Sequence, residues 1–469
     1  MVAHALVIAA PASGSGKTTV ATGLVAALAR RGTAVAPFKV GPDYIDPGYH
    51  ALAAGRPGRN LDPVLVGEER IAPLARHGAV GAEIAVVEGV MGLYDGRLAD
   101  GAGSTAHVAA LLGAPVVLVV DARGQSRSLA ALLHGFRSFD PGDGRRARLA
   151  GVVLNRVGSE RHAEVLRAAA AEVGLPVLGA LPRRDALAVP SRHLGLVPAV
   201  EHGAAAVAVV DEMAGLVARH LDLDAVVRLA APLPVGPAWD AGTEIRQLTP
   251  TRVPDDADSR ALPPRLAVAG GAAFTFGYAE HPELLTAAGA EVVVVDPLRD
   301  SALPAGTAGL VLPGGFPEEH AAALSVTAPL RAAVAAFAAA GGPVHAECGG
   351  LLYLCRDLDG VPMCGVLPAS AAMTGRLTLG YRDAVALSDS VSFTTGQRIA
   401  GHEFHHCAVT PRAGVAPAWG WRGGEPEGFV AGGVHASFLH THPAGNPGGV
   451  TRFVRAASTW ARQERRLPT

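Results

Sequence analysis

ALVIAAPASGSGKTTVATGLVAALARRG, residues 5–32, joins three unlike pieces. ALVIAA (5–10) is an apolar run of strand length, and PASGSGKTT (11–19) is a loop of small residues closed by a lysine. TTVATGLVAALARRG (18–32) has the composition of a helix. A strand that enters a helix through glycines turns successive backbone N–H groups toward one point, and the helix start adds partial positive charge there. Ser13, Gly14, Ser15 and Gly16 would form that cradle, Lys17 would reach the outer phosphates, and the Thr18 hydroxyl would hold Mg²⁺. The strict phosphate-loop pattern wants glycine where this chain has Pro11, so the match is to the looser GxGKTT. ATP with Mg²⁺ is the expected ligand.

Outward from this loop the chain continues as apolar runs separated by Ala/Leu-rich helical stretches: TAVAPFKV (33–40), EIAVVEGV (83–90), APVVLVVDA (114–122), LAGVVLNRV (149–157) and PVLGALPR (176–183). Such alternation predicts a parallel sheet covered on both faces. The periodicity fades at 231–264, a stretch rich in Pro, Asp and Arg that reads as a linker. A second series then begins with RLAVAGG (265–271), EVVVVDP (291–297), AGLVLPGG (308–315) and GPVHAEC (342–348). The prediction is an α/β protein with domains at 1–230 and 265–469.

The bulk numbers agree. A chain of 469 residues is too long for one core. With 49% hydrophobic and 17% charged residues and a formal net charge of -2, nothing draws it to nucleic acid or an anionic membrane. The apolar run 106–120 is too short for a membrane span and is broken by Gly113 and Pro115. Four cysteines without CxxC spacing do not make a disulfide framework, so a cytoplasmic protein is expected. The oligomeric state is left open, a homodimer included.

Three further stretches fall at strand ends, where open α/β sheets collect their ligands. FKVGPDYIDPGYH (38–50) packs Lys39, Asp43, Tyr44 and Asp46 into one loop. VVEGVMGLYDG (86–96) closes an apolar strand with Glu88, an acid that is costly there unless paired. VVLNRV (152–157) offers Asn155 for an adenine edge. Asp43 and Glu88, with Thr18, are candidate metal ligands, and Lys39, Tyr44 and Asp46 are candidates for holding an anionic acceptor. Lys17 beside these acids suits transfer of a γ-phosphoryl group to a carboxylate, whose acyl phosphate ammonia could then attack.

The second half places Cys348 between a strand and a helical run in HAECGGLLYLC (345–355), an elbow whose helix start should lower the thiol pKa. Gly314 and Gly315 in VLPGGFPEEH (311–320) could form an oxyanion hole. GGVHASFLHTHPAG (432–445) supplies His435, His440 and His442. A cysteine with a remote histidine is the minimum for thiolate acyl transfer. Three histidines without further ligands do not define a zinc site.

Together PASGSGKTTV, FKVGPDYIDPGYH, NLD (60–62), VVEGVMGLYDG, PSRHLGLV (190–197), LPGGFPE, AECGGLLYL, LGYRDA (379–384), GHEFHH (401–406) and ASFLHTH resemble the cobyrinate and hydrogenobyrinate a,c-diamide synthases of cobalamin biosynthesis. The resemblance spans nearly the whole chain apart from 231–264. It implies a dethiobiotin-synthetase-like ATP domain followed by a class I, triad-type glutamine amidotransferase domain. It also implies ATP, Mg²⁺, L-glutamine and a corrin-type macrocycle (cobyrinic or hydrogenobyrinic acid) as ligands. Cys348 would then be the glutamine nucleophile and His440 its base. The class usually carries a glutamate two residues after that histidine; here His442 stands there, so a Cys–His dyad is expected. Gly270 and Gly271 replace an Arg-Asp pair of the relatives. Two other readings stay open: a sister amidase acting on nickel sirohydrochlorin, and a P-loop regulatory ATPase with an inert amidotransferase-like domain.

Overall fold

The computed structural model describes residues 3–183, 191–192, 195–248 and 262–464; residues 190, 193 and 194 of the PSRHLGLV motif lie outside them. The chain folds as two compact units, Met1–Trp239 and Asp240–Thr469.

In the first unit every apolar run named above lies on a strand. The strands are β1 (His4–Ala9), β2 (Val35–Val40), β3 (Arg59–Leu61), β4 (Ile84–Glu88), β5 (Val116–Asp121), β6 (Leu149–Val157) and β7 (Val177–Pro182). They pair in parallel in the order β3-β2-β4-β1-β5-β6-β7. Leu6, Val7, Val86, Val87, Val117 and Leu118 are fully buried or nearly so, as strands covered on both faces require. Helix α1 (Lys17–Arg30) leaves β1 through the glycine loop, and α2 (Asp46–Ala54) follows β2. Parallel pairing brings the C-terminal ends of β2, β4, β1 and β6 to one edge of the sheet, and the loops that carry charge are collected there.

The stretch expected as a linker begins inside this unit. After the short pair β8 (Ser191–Arg192) and β9 (Gly195–Leu196), strand β10 (Ala231–Pro232) pairs antiparallel with the start of β1. Leu233 and Trp239 are buried, and Arg76 bonds the carbonyls of Pro234 and Pro237. The first unit therefore runs to Trp239 rather than 230. The signal failed because this strap is held by its backbone and by isolated large side chains, which leave no periodicity. Ala241–Leu248 is a helix of the second unit, with Ile245 buried, and residues 249–261 lie outside the described ones.

The second unit opens with β11 (Arg265–Ala269), β12 (Glu291–Val295), β13 (Thr307–Leu312) and β14 (Val344–Glu347). It continues with β15 (Asp357–Leu358), β16 (Val361–Pro362), β17 (Ser370–Ala386), β18 (Arg398–Thr410), β19 (Trp419–Gly420), β20 (Phe429–Ala431), β21 (Val434–Ser437) and β22 (His440–Thr441). One sheet has the order β12-β11-β13-β14-β21-β20, and a second is built around the long antiparallel pair β17/β18. β22 pairs with β18, so the chain passes from the first sheet to the second between Ser437 and His440. Among the described residues no helix is long and apolar enough to cross a membrane.

Candidate active sites

At the phosphate loop, Gly14 and Gly16 take left-handed backbone conformations (φ 76° and 99°). Gly16 has a second reason to be glycine: a Cβ there would lie 2.2 Å from Nδ2 of Asn155. That amide donates to the Ser15 carbonyl at 2.9 Å and its oxygen accepts from Arg156 N, so Asn155 braces the loop. Arg156, also at positive φ, donates to the Gly14 carbonyl and to Asp121. Lys17 lies under the loop. Its ammonium meets the carbonyls of Met91 (2.5 Å) and Ala12 (3.4 Å), and burial, then the nearby Lys39, lowers its pKa to about 8.

Beside it the ends of β2 and β4 carry a compensated cluster. The register sets Lys39 opposite Glu88. Lys39 Nζ donates to Asp46 Oδ2 (2.6 Å), Glu88 Oε1 (3.0 Å) and the Gly89 carbonyl (3.1 Å). Thr18 donates to Glu88 Oε1 at 2.6 Å, with Asp46 Oδ2 at 3.4 Å. His50 Nε2, from α2, lies 2.7 Å from Glu88 Oε2. Burial would push Lys39 down, but Asp46 and Glu88 hold it well above its ordinary value. Burial would push Glu88 up, but Lys39, His50 and Thr18 hold it well below the carboxylate range. Burial, then Asp43 and Glu88, push Asp46 up.

Asp43 turns its Oδ1 back to accept from Ile45 N and Asp46 N, so it braces the start of α2, and Asp46 takes the place beside Thr18 and Glu88. Asn60 of the NLD motif ties that loop down through the carbonyls of Gly41 and Asp43, and Asp62 caps the short helix Pro63–Val66. Tyr44 is buried in the same loop. Among the described residues no three His, Cys, Asp or Glu side chains are grouped to hold a metal unaided. The oxygens of Thr18, Glu88 and Asp46 nevertheless fit a hard cation such as Mg²⁺, which takes one or two carboxylates and completes its shell with phosphates and water. His50 escaped the sequence reading because its partner, at the end of β4, lies thirty-eight residues away.

In the second unit Cys348 sits between β14 and the helix Gly349–Leu354 at φ 48°, ψ −104°, a strained elbow. Its N–H donates to the Ser437 carbonyl at 2.7 Å, which ties it to the adjacent parallel strand β21. His440 begins β22 just beyond, fully buried, and a Cβ on Gly314 would come within 2.5 Å of its Cε1. A Cβ on Gly315 would lie 2.1 Å from the Ala273 carbonyl, and one on Gly349 would lie 2.9 Å from Gly315 N. Thiol and glycine turn therefore lie at one edge of the first sheet, with the imidazole of His440, at the start of β22 in the second sheet, against Gly314. The thiol pKa is raised rather than lowered: burial comes first, then the charge of Glu318, against one favourable bond from Gly349 N. A helix of six residues does not offset that burial.

Of the other histidines, His435 stacks on His345 (centroids 5.5 Å, 4°) in the core, and burial lowers it to about 3. His442, where the class carries glutamate, accepts from Ala444 N and packs on Tyr278 at 4.0 Å. LGYRDA and GHEFHH face one another across β17/β18, where Arg382 pairs with Glu403 at 2.7 Å. Both line a cleft of about 860 Å³ with Arg376, Arg412 and Trp421. Gly271, of the Gly270–Gly271 departure, lies against the Asp296 carboxylate.

Residues 6–197 match the CobQ/CobB/MinD/ParA nucleotide binding domain, and residues 265–447 match the CobB/CobQ-like glutamine amidotransferase domain. The chain is 58% identical to the hydrogenobyrinate a,c-diamide synthase of Mycobacterium bovis, over 97% of this chain and 98% of that one. The Streptomyces coelicolor protein of the same name is also 58% identical, over 97% of each chain. The cobyrinate a,c-diamide synthase of Gloeobacter violaceus is 43% identical over 96% of each. The chain thus belongs to the cobyrinate and hydrogenobyrinate a,c-diamide synthase family, glutamine-hydrolysing carbon–nitrogen ligases of cobalamin biosynthesis.

Proposed function

We propose that this enzyme uses ATP and glutamine to convert the a and c acetate groups of hydrogenobyrinic acid, the metal-free ring, to acetamides. The observation that carries the ATP half is Lys17, a buried ammonium whose bonded partners are backbone carbonyls beside a cradle of N–H groups. Such a charge is set to receive an anion. Lys17 and the loop hold the phosphates, while Thr18, Glu88 and Asp46 are the residues that would hold Mg²⁺. When bound, that ion neutralises phosphate charge. Lys39 holds Asp46 and Glu88 in place beside the phosphate loop. The acceptor carboxylate takes the γ-phosphoryl group, ADP leaves, and ammonia displaces phosphate from the acyl phosphate to give the amide.

In the other unit His440 takes the Cys348 proton, and the thiolate attacks the glutamine amide carbon. Backbone N–H groups at Gly314–Gly315 receive the developing oxyanion. Ammonia leaves with the proton, and water then releases glutamate from the thioester. The metal-free ring is favoured over the cobalt ring by relatedness: the relatives at 53–58% identity carry the hydrogenobyrinate name, those at 40–43% the cobyrinate name. The test offers hydrogenobyrinic acid, cobyrinic acid and nickel sirohydrochlorin separately with ATP and glutamine, and follows each acid-to-amide mass shift. Faster turnover of either metal-bearing ring would overturn the substrate assignment.

A further inference from the structure

We propose that Glu347, the residue before the nucleophile, orients His440 and takes the place of the glutamate that the class carries two residues beyond the histidine. The proposal rests on the reading of Cys348 and His440 as nucleophile and base. Glu347 Oε2 lies 3.6 Å from His440 Nδ1. That is an ion-pair distance rather than a hydrogen bond, of the kind that tightens when substrate binds. Its other oxygen is held from two sides. Thr441 donates to Oε1 through its N–H (3.2 Å) and hydroxyl (2.8 Å), and His345 Nε2 lies 3.2 Å away. His345 is held in turn by Ser392 at 3.1 Å.

The carboxylate is thus fixed from β14 and β22 and has one oxygen left for the base. A carboxylate facing Nδ1 favours the tautomer with the proton there and leaves Nε2 to accept the thiol proton. Burial would push Glu347 up, but the bond from His345 and the proximity of His440 hold it well below the carboxylate range, so it is anionic. The other groups facing it are His281, from the helix Glu280–Ala287, and His435, both kept neutral by burial. His402, across the ladder from His440, is likewise neutral. Glu347 is therefore an anion set directly against His440. In the class pattern the orienting acid comes after the histidine; here the strand that delivers the nucleophile delivers the acid too.

The test is Glu347→Gln in the full-length enzyme, with Glu347→Asp, Cys348→Ala and His440→Ala alongside. The expected result is a loss of about a hundredfold or more in glutamine-dependent kcat, with KM for glutamine and ammonia-dependent amidation within about threefold of wild type. Activity should recover partly at alkaline pH, as the thiol ionises without its base, and Glu347→Asp should restore part of the rate. Glutaminase activity within threefold of wild type in Glu347→Gln, or a loss seen equally with ammonia and accompanied by a lowered melting temperature, would overturn the positioning role. Retention of glutaminase activity by Cys348→Ala or His440→Ala would instead overturn the underlying assignment.

Discussion

At the ends of β2 and β4, Lys39, Asp46 and Glu88 answer one another's charges at 2.6 to 3.0 Å, and His50 Nε2 lies 2.7 Å from Glu88. Around Cys348 the thiol and its neighbouring histidines are buried, and the charge at the base comes from Glu347. In the first unit charges were brought out of water in mutually compensating sets, which leaves Lys17 to meet an incoming anion. In the second, burial holds the Cys348 thiol protonated, and on the proposed reading the nucleophile would be made by proton transfer during turnover. On the proposed function, one unit would handle phosphate by standing charge and the other an amide by a moving proton.

The sharpest way to separate the two is to disable each alone. Lys17→Ala should abolish amidation with either nitrogen source, since no acyl phosphate forms without charge at the outer phosphates. Cys348→Ala should abolish only the glutamine-dependent reaction. Equal loss with ammonia in Cys348→Ala, or amidation near the wild-type rate in Lys17→Ala, would collapse the division.

Glu88→Gln probes the compensated cluster itself. It leaves Lys39 with one fewer anion in a buried place, and removing one partner of such a set costs about 3–5 kcal/mol. A large fall in melting temperature is expected, together with a loss of about a hundredfold in ammonia-dependent amidation that extra Mg²⁺ relieves only in part. Unchanged stability would mean that the cluster is wetter than its burial indicates.

The opposite characters of the sites also predict opposite pH responses. Lys17 has a pKa lowered to about 8, so the free enzyme loses this positive charge as pH rises through that value. Phosphate binding favours the protonated form, so ATP affinity should fall above about pH 8, and ATP binding there should take up a proton. Calorimetry in buffers of different ionisation enthalpy measures that uptake. Glutaminase activity should rise over the same range, since the raised Cys348 thiol ionises more readily there.

The same contrast explains what was legible from the chain. Glycine loop, lysine and strand run consecutively in sequence, so the phosphate loop and the parallel sheet of its unit could be read directly. Cys348 was legible for the same reason, on its elbow. Glu347 was not, because an acid beside a cysteine says nothing until β22 returns His440 and Thr441 to it. His50 and the bracing role of Asn155 were hidden likewise, since their partners, Glu88 on β4 and Ser15 in the phosphate loop, are distant in sequence. The long β17/β18 pair was missed because its polar, half-exposed face carries no continuous apolar run.

The smallest effect is expected at Asp43, and it decides which acid of the 38–50 loop carries charge chemistry. Asp43 and Asp46 are equivalent by eye in the sequence, yet they are spent differently. Asp46 touches Lys39 and Thr18, whereas Asp43 accepts two backbone N–H groups at 2.8 and 3.0 Å. An Asn side chain offers the same carbonyl acceptor without the charge, so Asp43→Asn should amidate within about threefold of wild type with full diamide product. Asp43→Ala removes the acceptor and should cost about 1 kcal/mol of stability. Asp46→Asn, by contrast, should slow both the ammonia- and glutamine-dependent reactions. Thermal melts and a mass profile of the mono- and diamide measure all three variants. A tenfold or larger loss in Asp43→Asn, sensitive to Mg²⁺, would return Asp43 to the metal and make the two acids equal partners.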